Sequence, residues 1–392
     1  MYRFVRPLLF RLDAEAAHHA GMTAARLGEA VPGVVRGAFG VRDARLAQTL
    51  WGLRFANPVG LAAGFDKNAE RVPFWAALGF GFAEVGSVSA LPSAGNPKPR
   101  AFRLPADGAL VNRMGLNNEG AEAVAARLGA LRRPPGFVVG VNVAKTHSPD
   151  ILGAAGVDDF RASVRALLPH ADYLAVNVSC PNTAEGKTFE TPEALDGLLA
   201  AIMEEVKDGG WGLGVGEPPD VPGHPQSPVP TPQSRERSEP PPVLVKWSPP
   251  PTSGVDTGAV DELVGIALGH GVDGFIATNT ASDRDGLRTA AGRLGAIGTG
   301  GLSGRPLADR ALALTRHLYR TTGGELPLVG VGGVDSPEAA YARIRAGASL
   351  VQLYTGLVYE GPGLVKHINR GLLRLLERDG LDTLAEAVGA DA

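Results

Sequence analysis

The stretch Tyr173-Leu174-Ala175-Val176-Asn177-Val178-Ser179-Cys180-Pro181-Asn182-Thr183 predicts a buried strand that ends in a polar loop. Its first four residues form an apolar run, which is a strand signal when Asn and Pro follow it. The loop holds Cys180, the only cysteine of the chain. Folds of the α/β class place chemistry at the carboxyl ends of such strands, but a Ser/Asn/Pro cluster also suits a plain turn and a lone cysteine also suits a core position.

Further apolar segments alternate with helical stretches, and together they predict eight strands, at residues 58–62, 83–87, 137–143, 172–177, 243–247, 273–278, 327–331 and 349–354. Helices are predicted between them, for example at 117–131, 191–206 and 336–346, the last capped by Ser336. Eight successive βα units indicate an α/β fold of the (β/α)8 TIM-barrel type. In this fold the active site lies where the strands end.

Composition restricts the classes of function. With 44% hydrophobic and 20% charged residues, the 392-residue chain has the composition of a soluble globular protein, and its net charge of −3 gives no reason to expect a nucleic-acid partner. A single cysteine excludes an intrachain disulfide and a cysteine-ligated metal or iron–sulfur site. Any electron transfer therefore requires a bound organic cofactor, and no metal is expected.

The first 45 residues are basic, with seven arginines against four carboxylates. Apolar residues alternate with these arginines and predict an amphipathic helix, namely Phe4, Val5, Leu8, Leu9, Phe10 and Leu12. A second helix is predicted over residues 15–29. Such a segment suits an anionic membrane surface, and it equally suits packing against the barrel. We therefore divide the chain into a small N-terminal helical extension, 1–45, and the barrel, 46–392.

Residues 208–242 interrupt the barrel pattern. They hold ten of the 31 prolines and many glycines, and they predict neither helix nor strand. We expect a flexible surface insertion, although the spacing of Pro222, Pro225 and Pro228 also suits a polyproline ligand.

Polar and glycine-rich residues occupy the predicted strand ends. They include Ala63-Gly64-Phe65-Asp66-Lys67, Ser87, Asn142, Asn177, Lys246, Thr278-Asn279-Thr280, Gly332-Gly333 and Tyr354-Thr355. Glycine-rich turns in the last third of the chain, at 300–304, 330–333 and 354–356, suit a phosphate group, which barrels commonly bind after strands seven and eight. Lys246 ends a buried run, where its charge could stabilise a reduced flavin ring.

Several longer segments carry a resemblance to a known family. They are residues 60–68 (GLAAGFDKN), 98–104 (KPRAFRL), 112–118 (NRMGLNN), 177–183 (NVSCPNT), 277–280 (ATNT), 300–306 (GGLSGRP) and 352–362 (QLYTGLVYEGP). Together they resemble dihydroorotate dehydrogenase over essentially the whole chain except 208–242. Residues 2–18 further resemble the quinone-reducing class 2 branch, which associates with membranes.

The resemblance implies FMN at the barrel mouth and the oxidation of (S)-dihydroorotate to orotate in pyrimidine (UMP) biosynthesis. A base removes the C5 proton and a hydride leaves C6 for the flavin. The implied FMN contacts are Ala63, Gly64, Lys67, Ser87, Asn142, Asn177, Lys246, Thr278, Gly304, Gly333, Tyr354 and Thr355. The implied substrate contacts are Lys67, Asn112, Arg113, Met114, Gly115, Leu116, Asn177, Asn182, Asn279 and Thr280.

The catalytic residues implied are Cys180 as base and Lys67 as the cation near substrate and flavin. Class 2 enzymes usually have serine at the position of Cys180, and cysteine there is typical of class 1. The loop at 184–188 also departs from the family pattern. The implied quinone site at the N-terminal helices comprises His18 and Arg103, which places the protein at the cytoplasmic face of the cell membrane as a peripheral protein.

The sequence is also compatible with three alternatives. A class 1-like enzyme would use fumarate or NAD as acceptor, and a related FMN barrel would act on uracil in tRNA. A third reading is a non-catalytic flavin-binding scaffold that docks a partner through 208–242. The basic N-terminal extension argues against a class 1-like enzyme, and the net charge of −3 argues against an enzyme that acts on tRNA. The complete set of polar residues at the strand ends argues against a non-catalytic scaffold.

Overall fold

A computed structural model describes residues 2–179, 189–209 and 239–392 of the chain. In chain order its strands are β1 (Gln48–Leu50), β2 (Leu53–Phe55), β3 (Val59–Leu61), β4 (Phe82–Val88), β5 (Ala101–Leu104), β6 (Ala109–Asn112), β7 (Val138–Val143), β8 (Tyr173–Asn177), β9 (Val243–Trp247), β10 (Gly274–Ala277), β11 (Gly301–Gly304), β12 (Leu328–Val331) and β13 (Ala348–Leu353).

The helices pack around these strands. They are α1 (Tyr2–Leu9), α2 (Ala14–Glu29), α3 (Pro32–Phe39), α4 (Val72–Leu78), α5 (Ala121–Ala130), α6 (Ala154–Leu167), α7 (Pro192–Asp208), α8 (Thr257–Gly269), α9 (Ala291–Ile297), α10 (Ala308–Thr321), α11 (Pro337–Arg345), α12 (Thr355–Glu360) and α13 (Leu364–Asp379). Ser336 caps α11 by accepting a hydrogen bond from the Ala339 backbone N–H at 3.1 Å, as predicted.

The predicted TIM barrel is confirmed. Strands β3, β4, β7, β8, β9, β10, β12 and β13 pair in parallel in this order, and β13 closes the ring on β3. Each predicted strand is present with ends within one residue of the prediction. The barrel strands are buried almost throughout because helices cover their outer faces, which explains why they are apolar runs rather than alternating patterns.

Two smaller sheets were not predicted from the sequence. The hairpin β1–β2 lies at the amino-terminal end of the barrel, where Phe55 packs among Phe82 and Tyr173. Strands β5, β6 and β11 form an antiparallel sheet at the other end. This second sheet matters for function, because β6 ends at Asn112 and β11 ends at Gly304.

The N-terminal region contains the two predicted helices, α1 and α2, and a third, α3, that was not predicted. Asp13 caps α2 by accepting hydrogen bonds from the Glu15 and Ala16 backbone N–H groups. Within the described ranges, no helix is long and apolar enough to cross a membrane. Most of the predicted insertion, residues 210–238, lies outside the described part of the chain.

Candidate active site

A cleft of about 1040 Å³, part of it open to solvent, lies at the carboxyl ends of the barrel strands. It is lined by many of the residues that the sequence singled out, namely Ala63, Gly64, Lys67, Ser87, Asn112, Met114, Leu116, Asn177, Lys246, Thr278, Asn279, Thr280, Gly304, Gly333, Tyr354 and Thr355. The parallel barrel explains this convergence, since all its strands end at the same face.

Glu84, which the sequence analysis did not single out, anchors the floor of the cleft. Its carboxylate is fully buried and accepts hydrogen bonds from Tyr173 Oη at 3.1 Å and Gln352 Nε2 at 2.7 Å. Lys246 Nζ lies 3.4 Å from Glu84 Oε1, and Asn142 Nδ2 donates to the same oxygen at 2.9 Å. The sequence feature that could have identified Glu84 is its position inside the apolar run of β4, because a buried carboxylate requires a partner.

A chain of amides and hydroxyls connects this floor to the upper part of the cleft. Ser87 Oγ hydrogen bonds to Asn142 Oδ1, and Asn177 Nδ2 donates to Ser87 Oγ at 3.1 Å. Asn279 Nδ2 lies 3.1 Å from Asn177 Oδ1 and 3.0 Å from the Ser179 carbonyl oxygen. These bonds fix the side chains before any ligand arrives. Asn142 itself is fully buried beneath the cleft and does not line it.

The segment after β6 forms one wall of the cleft. Asn112, Met114 and Leu116 line it, and Lys67 extends into the same region, where its Nζ hydrogen bonds to Asn117 Oδ1. Asn117 was not predicted as a site residue.

Two predicted substrate contacts lie outside the cleft lining. Arg113 is turned away, because its guanidinium lies over the Phe102 ring, 4.9 Å from the ring centroid, and donates hydrogen bonds to the Ile297 and Pro99 carbonyl oxygens. Gly115 has a φ of +68° and packs against Asn96, where a Cβ atom would come within 2.6 Å of backbone. We assign both residues to shaping the loop that presents Met114 and Leu116 to the cleft.

Small residues and hydroxyls build the glycine-rich end of the cleft. Ser303 Oγ and Thr355 Oγ1 are 2.9 Å apart and are hydrogen bonded. A Cβ atom on Gly304 would meet the Gly108 carbonyl oxygen at 2.4 Å, and one on Gly333 would meet Ala308 Cβ at 2.6 Å. Only glycine fits at these two positions, and such turns leave backbone N–H groups free to face an anion.

The donor set fits a flavin nucleotide. Gln352 Oε1 is a buried acceptor in the cleft lining that has no hydrogen-bond partner among the described residues, which suits a ligand with ring N–H groups. Lys246 lines the cleft with a cation, and the glycine turns at its far end would suit a phosphate group. In the described ranges, no group of three or more His, Cys, Asp or Glu side chains could hold a metal ion.

The predicted quinone-site residues lie where the N-terminal helices meet the barrel. The His18 ring packs edge-on against Phe65, with 5.0 Å between ring centroids, and Phe65 packs in turn against Tyr354, which lines the cleft. Burial is the main cause that lowers the pKa of His18, to about 4, so its imidazole is neutral at neutral pH.

Arg103 lies on β5 and holds the turn between α1 and α2. Its Nη1 donates to the Leu12 carbonyl at 2.9 Å, and its guanidinium lies over the Phe10 ring at 4.7 Å. Burial lowers the pKa of Arg103 from its ordinary value, but the group keeps its charge at neutral pH.

The predicted base Cys180 and the predicted substrate residue Asn182 lie outside the described residues. The residue that precedes Cys180 in the chain is firmly held: Ser179 is fully buried, and its backbone N–H and Oγ both bond to Asn177 Oδ1.

Comparisons with known proteins agree with this geometry. The profile of the family described as dihydroorotate dehydrogenase matches residues 45–376. Two curated relatives are named dihydroorotate dehydrogenase (quinone). The one from Deinococcus deserti is 45% identical and covers 100% of both chains, and the one from Rhodospirillum rubrum is 45% identical over 100% of this chain and 94% of its own.

Solved structures agree as well. The crystal structure of DHODH from Eimeria tenella in complex with ferulenol is similar with a TM-score of 0.79 and 32% identity, covering 97% of this chain and 96% of that chain. A ligand-free structure of the same enzyme has a TM-score of 0.77. The fold, the cleft and these relatives lead to one conclusion: the chain belongs to the dihydroorotate dehydrogenase family of flavin-dependent oxidoreductases, in its quinone-dependent class 2 branch.

Proposed function

We propose that the protein oxidises (S)-dihydroorotate to orotate with bound FMN and uses a membrane quinone as electron acceptor, in the biosynthesis of UMP. The observation that carries this proposal is the pre-organised cluster of Asn177, Ser179 and Asn279 at the mouth of a cleft whose floor holds Lys246 and whose far end is a glycine cradle. Such a cleft suits an amide-rich substrate above a flavin.

FMN is held, in this proposal, by those residues implied by the sequence that line the cleft, together with Gln352, which the structure adds. Lys246 and Gln352 would face the ring system, and Gly304, Gly333 and Thr355 would hold the phosphate. When bound, FMN supplies the acceptor for the hydride that leaves C6 of the substrate. The buried Glu84 keeps Lys246 in place for this role, since it lies 3.4 Å from the ammonium group.

The asparagines recognise the pyrimidine. Orotate presents alternating carbonyl and N–H groups, and a carboxamide can match both because it carries a donor and an acceptor. Asn112 and Asn279 line the cleft, and Asn182 would add a third amide. Lys67 would pair with the substrate carboxylate, which explains why a cation is held beside neutral amides.

Cys180 supplies the base that removes the C5 proton. It directly follows Ser179, which two hydrogen bonds to Asn177 hold in place. A thiol has an ordinary pKa of about 8.5, so a useful fraction is ionised near neutral pH, whereas a serine hydroxyl is not.

The N-terminal extension receives the quinone and rests on the membrane. His18 and Arg103 would border the quinone, His18 being linked to Tyr354 through Phe65. Among the described residues, seven of the ten exposed large hydrophobic side chains lie in this extension, among them Phe4 with 72% of its surface exposed. Arginines flank these side chains, so this face suits binding to the anionic cytoplasmic surface of the cell membrane. The protein would then be a peripheral membrane protein.

Steady-state assays with different acceptors test the proposal. Purified protein is supplied with dihydroorotate and either a short-chain quinone, fumarate or NAD, and orotate is measured. We expect turnover with quinone alone. Turnover only with fumarate or NAD would assign the protein to class 1 chemistry, as Cys180 suggests, and no orotate with any acceptor would overturn the proposed reaction.

A further inference from the structure

Arg343 is a buried cation without an acidic partner in the described structure. Only 2% of its surface is exposed, and none of the described carboxylates lies within 4.0 Å of its guanidinium. Arg345, two residues along α11, differs in this respect because it pairs with Asp379 at 3.2 Å and Asp391 at 2.6 Å. An isolated buried charge is costly, so its presence calls for a partner.

The hydrogen bonds of Arg343 point to where that partner lies. Its Nη2 donates to the Gly332 carbonyl at 2.6 Å and to the Ala308 carbonyl at 3.1 Å. Gly330 makes room for the side chain, since a Cβ atom there would lie 2.3 Å from Arg343 Cγ. Nε and Nη1 are buried without a hydrogen-bond partner among the residues that the structure describes.

Both carbonyls belong to the glycine-rich end of the cleft. Gly332 and Gly333 line it directly, and Ala308 begins α10 immediately after the turn that contains Gly304. The two segments touch, because Gly333 packs directly against Ala308. Nη2 of Arg343 therefore connects, through hydrogen bonds, the two segments that would hold a phosphate. Arg343 itself does not line the cleft.

Arg343 also keeps its charge. Burial lowers its pKa to about 10, and the exposed Asp309 only partly opposes this effect. At neutral pH the guanidinium is therefore protonated, and its field acts through a poorly solvated region in which charges are weakly screened.

We propose that Arg343 is a positioning residue for the cofactor phosphate: it fixes the Gly332–Gly333 and Gly304–Ala308 segments, and its buried charge is balanced by the phosphate dianion that they bind. The inference rests on the proposed function, since it requires a phosphorylated flavin. In this proposal Arg343 is responsible for the preference of the protein for FMN over riboflavin, which lacks the phosphate.

The test compares the two flavins. The full-length protein, as purified, is dialysed to equilibrium against graded concentrations of FMN or riboflavin, and bound flavin is measured by its absorbance after release. For Arg343→Gln we expect FMN affinity to fall about tenfold or more, equivalent to about 1.4 kcal/mol, with riboflavin affinity changed by less than about threefold. Arg343→Lys, which keeps the charge, should restore most of the preference for FMN.

Two further variants keep the test decisive. Arg345→Gln removes an arginine from the same helix and should leave both affinities unchanged. Arg343→Met replaces Arg343→Gln if the latter does not fold, since an apolar chain leaves no new polar group buried. Equal weakening of FMN and riboflavin would show a merely structural role, and unchanged FMN affinity would also overturn the inference. A wild-type protein without preference for FMN would instead refute the proposed phosphate site itself.

Discussion

The buried pair of Glu84 and Lys246 gives the most direct prediction from the structure. Both side chains are removed from solvent, and their charged atoms are 3.4 Å apart beneath the proposed flavin site. Replacing one partner leaves the other as an uncompensated buried charge. Replacing both, as in Glu84→Gln with Lys246→Met, removes that penalty.

The magnitude follows from the distance and the burial. At an effective dielectric constant of about 20, two charges 3.4 Å apart attract with about 5 kcal/mol, and breaking a buried pair typically costs about 3–5 kcal/mol. We therefore expect each single variant to lose about 3–5 kcal/mol of unfolding free energy. The double variant should lose at least about 2 kcal/mol less than the sum of the two.

Urea unfolding of the flavin-free protein, followed by circular dichroism, measures these free energies without a contribution from cofactor binding. The control cycle uses Arg345 and Asp391, which are closer at 2.6 Å but more exposed, and should give a coupling of about 1 kcal/mol or less. Additive losses for Glu84 and Lys246, within about 0.5 kcal/mol, would refute the account of the cleft floor.

Three further predictions concern the base, the quinone and the N-terminal helices. Cys180→Ser should lower the rate at neutral pH and move the pH optimum upward, as a pH–rate profile would reveal; an unchanged profile would exclude Cys180 as the base. Replacing His18 and Arg103 by alanine should raise the KM for quinone while anaerobic flavin reduction by dihydroorotate stays intact, and equal loss of both half-reactions would contradict a quinone role. Hydrogen bonds from Arg100 lower the pKa of Glu15 in the folded protein. The ionised carboxylate therefore stabilises the fold at pH values above the pKa that Glu15 has in the unfolded chain, and this stabilisation is lost as the pH falls through the pKa of the folded state. Thermal unfolding should therefore show Glu15→Gln less stable than the wild-type protein at pH 7, with a difference that shrinks below about pH 4, and a difference independent of pH would contradict this reading.

The barrel could be predicted from the sequence because its strands are buried on both faces. Each of them is a short, mostly apolar run that ends near a polar residue or a glycine, such as Val243-Leu244-Val245 before Lys246, and this pattern is local. The residues at those ends then converge on one cleft by the geometry of the fold alone. Most of the predicted cofactor contacts follow from this simple rule.

Several of the missed features depend on contacts between distant segments. Strands β5 and β6 form a local hairpin, but β11 pairs with β6 from far along the chain, with Gly301 opposite Asn112, so no local pattern predicts the complete sheet. Glu84 and Gln352 lie 268 positions apart and meet only in the closed barrel. The orientation of Arg113 is likewise decided by the Ile297 carbonyl, which lies far along the chain.

The proposed reaction is tested most directly by the flavin itself. Protein with bound FMN is mixed anaerobically with a stoichiometric amount of dihydroorotate, and the absorbance of the oxidised flavin is followed. We predict that this absorbance is lost, that orotate forms in equal amount, and that a short-chain quinone restores the absorbance. A flavin that stays oxidised in the presence of dihydroorotate would contradict the proposed reaction.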